Sequence, residues 1–305
     1  MLPLERNAFW LLKADGETPE ALTGSMQRVP LHVISATGMN NGQHRLPRRT
    51  PLVVTSKALH DPATADLLAE LSLAGVRLLR PHEYYEKVLR RVMLDQLDQS
   101  WFLFDRALRR RRLYNLIKAI IDLTVGVVGS LLAVLLIPVI WFFNRLGDRG
   151  PVFYRQERVG LGGKTFYVWK FRTMRVDAER DGPVWASVGD ARVTRLGRWL
   201  RSTHLDELPQ FFNVLRREMS LVGPRPERPA FVRLLSRAIP FFDWRHLIRP
   251  GVTGWAVVRF GYSDSIRDKW IIHEYDLYYL KHRSLLLDLE IAARTVLVML
   301  SQRGQ

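Results

Sequence analysis

In the stretch "THLDELPQFFNVLRREMSLVGPRP", residues 203–226, two neighbouring carboxylates, Asp206 and Glu207, stand just ahead of Pro209, and Arg225 is held between Pro224 and Pro226. Proline is tolerated in the first turn of a helix, so Pro209 predicts a helix that begins near Asp206 and continues through "QFFNVLRR". At such an end the free backbone N–H groups and the macrodipole favour negative charge. Asp206 as a plain helix cap is therefore one reading. Side chains of adjacent helical residues point in different directions, so a functional pair would divide the work, one carboxylate attacking and the other orienting or coordinating. Helix amino ends also bind phosphate, and cations are close in sequence: Arg192 and Arg201 in "DARVTRLGRWLRS", and Arg225, whose prolines hold its backbone ready for a bidentate phosphate contact. Carboxylates among arginines fit phosphoryl transfer, in which an aspartate attacks phosphorus while a divalent cation and the arginines offset anion–anion repulsion. Mg²⁺ is the natural ion, since it takes oxygen ligands and shares them with substrate phosphates.

Other elements must position this pair. The segment "RVGLGGKTFYVWKFRTM" predicts a β-hairpin, with Gly162 and Gly163 at the turn and alternation along "TFYVWKF". It is not a nucleotide loop, because the position five residues before Gly163 holds Arg158 where a glycine is required. The hairpin brings Lys170 and Arg172 to one strand end, and their alternate spacing puts them on one face; a solvated strand edge is the plainer reading. Upstream, "VPLHVIS", "PLVVTS" and "VRLLR" read as strands, with a helix between the last two that starts at Pro62 after Asp61 and ends at Gly75. This is part of a nucleotide-binding-like α/β module without a phosphate loop, an accessory unit over residues 1–100. "HEYYEKVLRRVMLDQLDQSWFLF", residues 82–104, reads as an amphipathic surface stretch that leads into a cationic linker over residues 101–118.

The most apolar run, residues 119–143, would span about 36 Å as a helix, enough for the bilayer core of about 30 Å. A plain crossing helix and a buried core helix are two readings of it. Pro138 predicts a kink, with Ser130 or a neighbour covering backbone groups that the kink frees. Arginines flank the run on both sides, in "RALRRRRLYNLIK" and "NRLGDRG". If cationic flanks stay cytoplasmic, both ends lie on one side, and the helix enters the membrane and returns.

The chain has 305 residues, a formal charge of +16 and 47% hydrophobic residues, which favours folded units and an anionic partner. It has no cysteine, which removes disulfides, thiolate metal sites and cysteine nucleophiles. Acids near the start and a short apolar run argue against a secretory signal. Nucleic acid is excluded as the partner, since no reading helix, zinc pattern or stacking sheet is present and the apolar run would go unexplained. His204 and His246 read as packing or surface residues, and Tyr275, Asp276, Tyr278 and Tyr279 as builders of the domain. The last apolar helix, "LLLDLEIAARTVLVML", suits either the core or a bilayer surface.

Five motifs, in this order, carry a resemblance: "YRQERVGLGGKTFYVWKFRTM", "DARVTRLGRWLRSTHLDELPQFFNVL", "MSLVGPRPERP", "RPGVTGWA" and "EYDLYYLKHRSLLLDLEIAARTV". From about Lys118 onward the chain resembles the bacterial sugar transferase family, the monotopic phosphoglycosyl transferases. The resemblance implies a membrane-associated α/β (α+β) fold. Residues 119–143 would be a re-entrant membrane helix bent near Pro138, and residues 144–305 a compact catalytic domain of a short hairpin and amphipathic helices. It implies transfer of a sugar-1-phosphate from a UDP-sugar to a polyprenyl phosphate with release of UMP, at the cytoplasmic face of the bacterial inner membrane, as the first step of a cell-surface glycan. Asp206 corresponds to the nucleophile and Glu207 to its partner, both toward Mg²⁺; Lys170, Arg172, Arg192, Arg201, Arg225 and Arg249 are the candidate substrate-binding cations. Membrane lipid, and in some forms a second copy of the chain, complete the expected partners. The chain departs from the family where Arg217 replaces a usual glycine and Val257 a common glutamine. Longer members begin with several transmembrane helices, absent upstream here, which predicts a short form or a fragment. A catalytically silent scaffold, or a glycosyltransferase that releases UDP, is the alternative function.

Overall fold

A computed structural model describes residues 9–13, 31–35, 51–97, 112–147, 149–178, 190–261 and 265–300. The chain divides into two compact units, Met1–Gln96 and Leu97–Gln305.

In the first unit, β1 (Phe9–Lys13), β2 (Leu31–Ser35), β3 (Leu52–Val54), α1 (Ser56–His60), α2 (Pro62–Leu73), β4 (Leu78–Leu79) and α3 (Pro81–Tyr84) follow one another. The four strands form one sheet in the order β2-β1-β3-β4, with every pairing parallel. Parallel sheets are covered on both faces, and here Leu11 and Val53 pack against Tyr84, Tyr85 and Met93, while Leu12, Leu52 and Val54 pack against Ala58 and Leu68. The strand β1 is not among the expected ones: "FWLLK" is apolar without alternation, the pattern of a doubly covered strand. Nor do residues 82–96 lie on the surface as expected, since Tyr84, Tyr85 and Met93 are buried. A π-turn over Tyr85–Leu89 ends at Arg90, whose backbone is left-handed at φ 54°, and a 3₁₀ turn follows at Leu94–Gln96. The break lets Tyr84, Tyr85 and Met93 all reach the same core. Residues 98–104 of that stretch, like the cationic run at 106–111, lie outside the described residues.

The second unit opens with α4, Arg112–Leu146, a helix of 35 residues that contains Pro138 and runs past the expected 119–143 at both ends. Among the described residues it alone is long and apolar enough to cross a membrane. One side is made of small residues, with Gly126, Gly129, Ser130 and Ala133 buried. A Cβ at Gly129 would lie 2.4 Å from the Phe211 ring, so only glycine permits this approach. The Ser130 hydroxyl is buried without a hydrogen-bond partner, so it does not cover groups freed by Pro138 as expected. The opposite side is apolar and open, with Leu116, Leu123, Leu131, Leu135, Trp141 and Phe142 all exposed. Each such side chain gains about 1.5–3 kcal/mol on leaving water, which makes this face one for an apolar phase.

A hairpin follows, β5 (Phe153–Val159) and β6 (Thr165–Phe171), in register from Phe153 opposite Phe171 to Val159 opposite Thr165. Gly162 and Gly163 turn it with φ of 65° and 76°. Next come α5 (Arg195–Ser202), a 3₁₀ turn (Leu205–Glu207), α6 (Gln210–Leu215) and β7 (Ser220–Val222). After α7 (Pro229–Ala238) and a 3₁₀ turn at Phe242–Leu247, β8 (Gly251–Thr253) pairs parallel with β7. Helices α8 (Trp255–Arg259), α9 (Ile266–His282) and α10 (Leu285–Leu300) complete the unit. Its core joins Ala133 and Ile140 of α4 to Phe171 and Leu200, with Leu205, Leu208 and Phe212 packed around them.

Candidate active site

The carboxylate pair is not at the start of a helix. Asp206 and Glu207 belong to the 3₁₀ turn, which follows His204 at φ 55°, whereas α6 begins at Gln210 with Pro209 as its cap. Asp206 is therefore not a helix cap. Leu205 and Leu208 anchor the turn in the core on either side of the pair, so the two carboxylates are held on a rigid element. Asn213 fastens α6 to the hairpin: its Oδ1 accepts from Trp169 N at 3.1 Å, and its Nδ2 donates to the Tyr167 carbonyl and the Glu218 carboxylate, both at 2.7 Å. Completely buried, Asn213 sets the height of the turn against β6. Nothing in sequence reading singled it out; an amide inside an otherwise helical apolar pattern was the available signal.

The neighbouring carboxylates have unlike surroundings. Glu207 Oε1 accepts from Lys170 Nζ at 2.7 Å and from Arg225 Nη2 at 2.8 Å. Burial would raise its pKa, but Arg225 and Lys170 outweigh that and hold the carboxyl well below its ordinary value. Asp206 is 7% exposed. Burial pushes it up to about 6, Lys170 pulls against the shift, and the Glu207 charge adds to it. Among the described residues no hydrogen bond reaches its carboxylate. One acid is clamped between two cations; its neighbour is set among charges and left unengaged.

The other expected cations divide. Arg201 donates through Nε to Thr173 Oγ1 at 3.0 Å, and its charge acts on Asp206. Arg172 does not join Lys170 at Glu207. It lies one residue past the end of β6, buried, donating to the Pro151 carbonyl at 2.8 Å, the Met174 carbonyl at 3.2 Å and Asn144 Oδ1 at 3.4 Å. Arg192 is bound to Asp190 in its own loop, at 2.5 Å from Oδ2, and to the Ala178 carbonyl. Arg249 lies in a separate groove with Ala119, Asp122 and Leu123 of α4, its Nε donating to the Arg217 carbonyl at 2.8 Å. Arg217 has φ 59°, a conformation in which glycine is unstrained, which gives the glycine usual at this position its physical reason.

Among the described residues no three side chains of the metal-ligating types converge. Mg²⁺ needs fewer, because one or two carboxylates with substrate phosphates and water complete its octahedron. The pair at Asp206 and Glu207 fits that requirement, with Asp206 the less engaged of the two.

The family described as "Bacterial sugar transferase" matches residues 113–302. That range holds the long helix, the hairpin, the carboxylate turn and the Arg225 loop, and this chain belongs to the bacterial sugar transferase family. Among its relatives, the UDP-N-acetylgalactosamine-undecaprenyl-phosphate N-acetylgalactosaminephosphotransferase of Aeromonas hydrophila is 39% identical over 237 residues, 78% of this chain and 55% of the relative. The UDP-glucose:undecaprenyl-phosphate glucose-1-phosphate transferases of Klebsiella pneumoniae and Caulobacter vibrioides are 41% and 45% identical, over 56% and 50% of this chain and 38% and 58% of their own. The chain thus spans about half the length of these curated relatives. The match to the Aeromonas protein is longer than the whole second unit, so it reaches into the first.

Proposed function

We propose that this chain transfers a sugar-1-phosphate from a UDP-sugar to a polyprenyl phosphate, undecaprenyl phosphate by the names of its relatives, and so begins a cell-surface glycan. The observation that carries the reading is the unlike pair in the 3₁₀ turn. An Asp206 oxygen attacks the β-phosphorus of the donor, the bond to the α-phosphate oxygen breaks, and UMP leaves. An oxygen of the polyprenyl phosphate then attacks the same phosphorus, releasing Asp206 and forming the polyprenyl-diphosphate sugar. Glu207 holds Lys170 and Arg225 where the charge of the donor diphosphate develops. Mg²⁺, held by Asp206 and Glu207, would supply charge neutralisation at the phosphates. The identity of the released nucleotide tests the reaction: UMP supports it, and UDP would point to an ordinary glycosyltransferase.

The topology we propose is re-entrant, at the cytoplasmic face of the inner membrane. It is supported by the way α4 is fastened. Near its start, Tyr114 donates to Asp288 at 2.9 Å and Lys118 at 3.2 Å, both onto α10. Asp122 accepts from Leu221 N at 3.0 Å, and near the other end Asn144 accepts from Arg172. Residues 114 and 144 are about 45 Å apart along a straight helix, yet both are tied to one globular unit. A crossing helix would put those ties on opposite sides of the bilayer. The chain lacks cysteine, so single cysteines at the exposed positions Leu113 and Leu146 can be labelled with an impermeant maleimide. Both should stay protected in intact cells; labelling of one alone would establish a crossing. For the first unit, its parallel sheet supports the reading as an accessory module of nucleotide-binding-like topology.

A further inference from the structure

Arg225 acts through its side chain, but its backbone is also held. The flanking prolines fix φ at their own positions and bias residue 225 to extended backbone. What they leave open is the orientation of the carbonyls of Arg225 and Pro226. Each of these is taken by a guanidinium from a distant part of the chain. Arg245 Nη2, from the turn at Phe242–Leu247, donates to the Arg225 carbonyl at 2.8 Å and meets Asp276 Oδ2 of α9 at 2.8 Å. Arg158 Nη1, from the end of β5, donates to the Pro226 carbonyl at 2.8 Å and lies 3.8 Å from Glu227 Oε2. Glu227 in turn accepts from Lys269 Nζ of α9 at 2.5 Å.

We propose that Arg158 and Arg245 are positioning residues, a two-guanidinium clamp that orients the Pro224–Arg225–Pro226 backbone and thereby aims the Arg225 side chain at Glu207 and the donor diphosphate. The side chains of Arg245 and Asp276 are each 2% exposed. A buried ion pair is seldom needed for stability alone, since apolar residues of similar volume fill such a site as well or better. Apolar residues could not hold a carbonyl, and that is what distinguishes the clamp from packing. Burial pulls Arg158 down to about 10 while Glu227 pulls it back, so it remains a cation at neutral pH.

The inference rests on the role proposed above for Arg225, and the test separates the two. Arg245→Met combined with Asp276→Leu removes the pair and its grip on the carbonyl without leaving a lone buried charge. The full chain carrying both changes should keep its melting temperature within a few degrees and lose about ten- to a hundredfold in kcat for UMP release, since displacements of about 1 Å have that effect. Its donor KM should stay within about threefold. In an Arg225→Lys background the same two changes should cost less than about threefold more. A folded double variant with wild-type kcat overturns the clamp, and so does a fully multiplicative effect in the Arg225→Lys background. If Arg225→Lys by itself leaves kcat/KM unchanged, it is the role of Arg225 that fails, and the clamp falls with it. Should the double variant not fold, Arg158→Met decides: Glu227 keeps Lys269, the Pro226 carbonyl loses its donor, and kcat should fall several-fold in the wild type but not in Arg225→Lys, whereas an unchanged kcat overturns the proposal.

Discussion

Two clusters of arginines and acids lie on either side of the Arg225 loop, and they differ in what they leave unengaged. At the base, Arg245 meets Asp276, and Lys269 and Arg158 both meet Glu227, so that each acid has a cation against it, and the Arg245–Asp276 and Lys269–Glu227 pairs are almost sealed from water. In the 3₁₀ turn, two cations converge on one acid, Glu207, while Asp206 beside it has charge around it and no bonded partner among the described residues. The base is a closed set that can hold a backbone still. Burial pushes one carboxyl in each cluster up to about 6, Asp276 at the base and Asp206 in the turn, but Asp276 has a guanidinium at 2.8 Å and Asp206 has no such partner among the described residues. In one unit, the same residue types build a cluster in which each acid has a cation against it and another in which Asp206 has none among the described residues.

The contrast can be broken by substitution. Asp206→Asn should abolish UMP release, by at least about 10³-fold, as expected when the attacking group of a covalent route is removed. Because its ionised form is disfavoured by burial, the Asn variant should melt no lower than the wild type at pH 8. Near-normal turnover would remove Asp206 from the attacking role. Arg245→Ala reverses the pattern: it strands Asp276 in the interior and should cost about 3–5 kcal/mol of unfolding free energy by denaturant titration. A cost below about 1 kcal/mol would mean that the base pair is not the closed set described.

Arg225→Lys lies between the two. It keeps the charge, loses the planar fork, and should cost about 1.5–3 kcal/mol of transition-state stabilisation read from kcat/KM. A change of less than about threefold would leave Arg225 as a shaper of its loop. The smallest step, read per histidine and per pH unit, concerns the histidines behind the base cluster. Burial drives His273 down to about 3 and His246 down to about 4, with Arg245 adding to both. These folded values lie below the ordinary 6.5, so the stability they contribute is complete above pH 6.5 and is lost as the pH falls toward 4. Each should cost about 1.4 kcal/mol of stability per pH unit of acidification within that window. Melting temperatures between pH 7 and 4.5 should show the decline, and His273→Phe should flatten it.

How far the sequence revealed these clusters follows from how local the deciding interactions are. The hairpin, its glycine turn and the long apolar helix were legible because alternation and hydrophobic length are properties of consecutive residues. The strand β1 was not, since a strand covered on both faces carries no alternation to read. The carboxylate pair was found, but its setting was misjudged: Pro209 marks the cap of α6, and Asp206 lies in the turn before it. Lys170 and Arg172 share a face only while the strand lasts, and Arg172 stands just beyond its end, where the chain turns it toward Asn144. Asn213, Arg158 and Arg245 act through backbone groups distant in sequence, contacts that no spacing rule encodes. Arg225 was legible for the opposite reason, because its two prolines are adjacent to it.

The central claim is that Asp206 carries the phosphosugar between donor and acceptor. Mass spectrometry of the intact wild-type chain, incubated with Mg²⁺ and UDP-sugar in the absence of polyprenyl phosphate, tests it most directly. The account predicts one added sugar-phosphate mass per chain, mapped to the peptide that contains Asp206, formed with an equal amount of UMP and discharged when polyprenyl phosphate is supplied. A chain that turns over the complete reaction yet never carries that mass, or carries it equally well as Asp206→Asn, would contradict the claim.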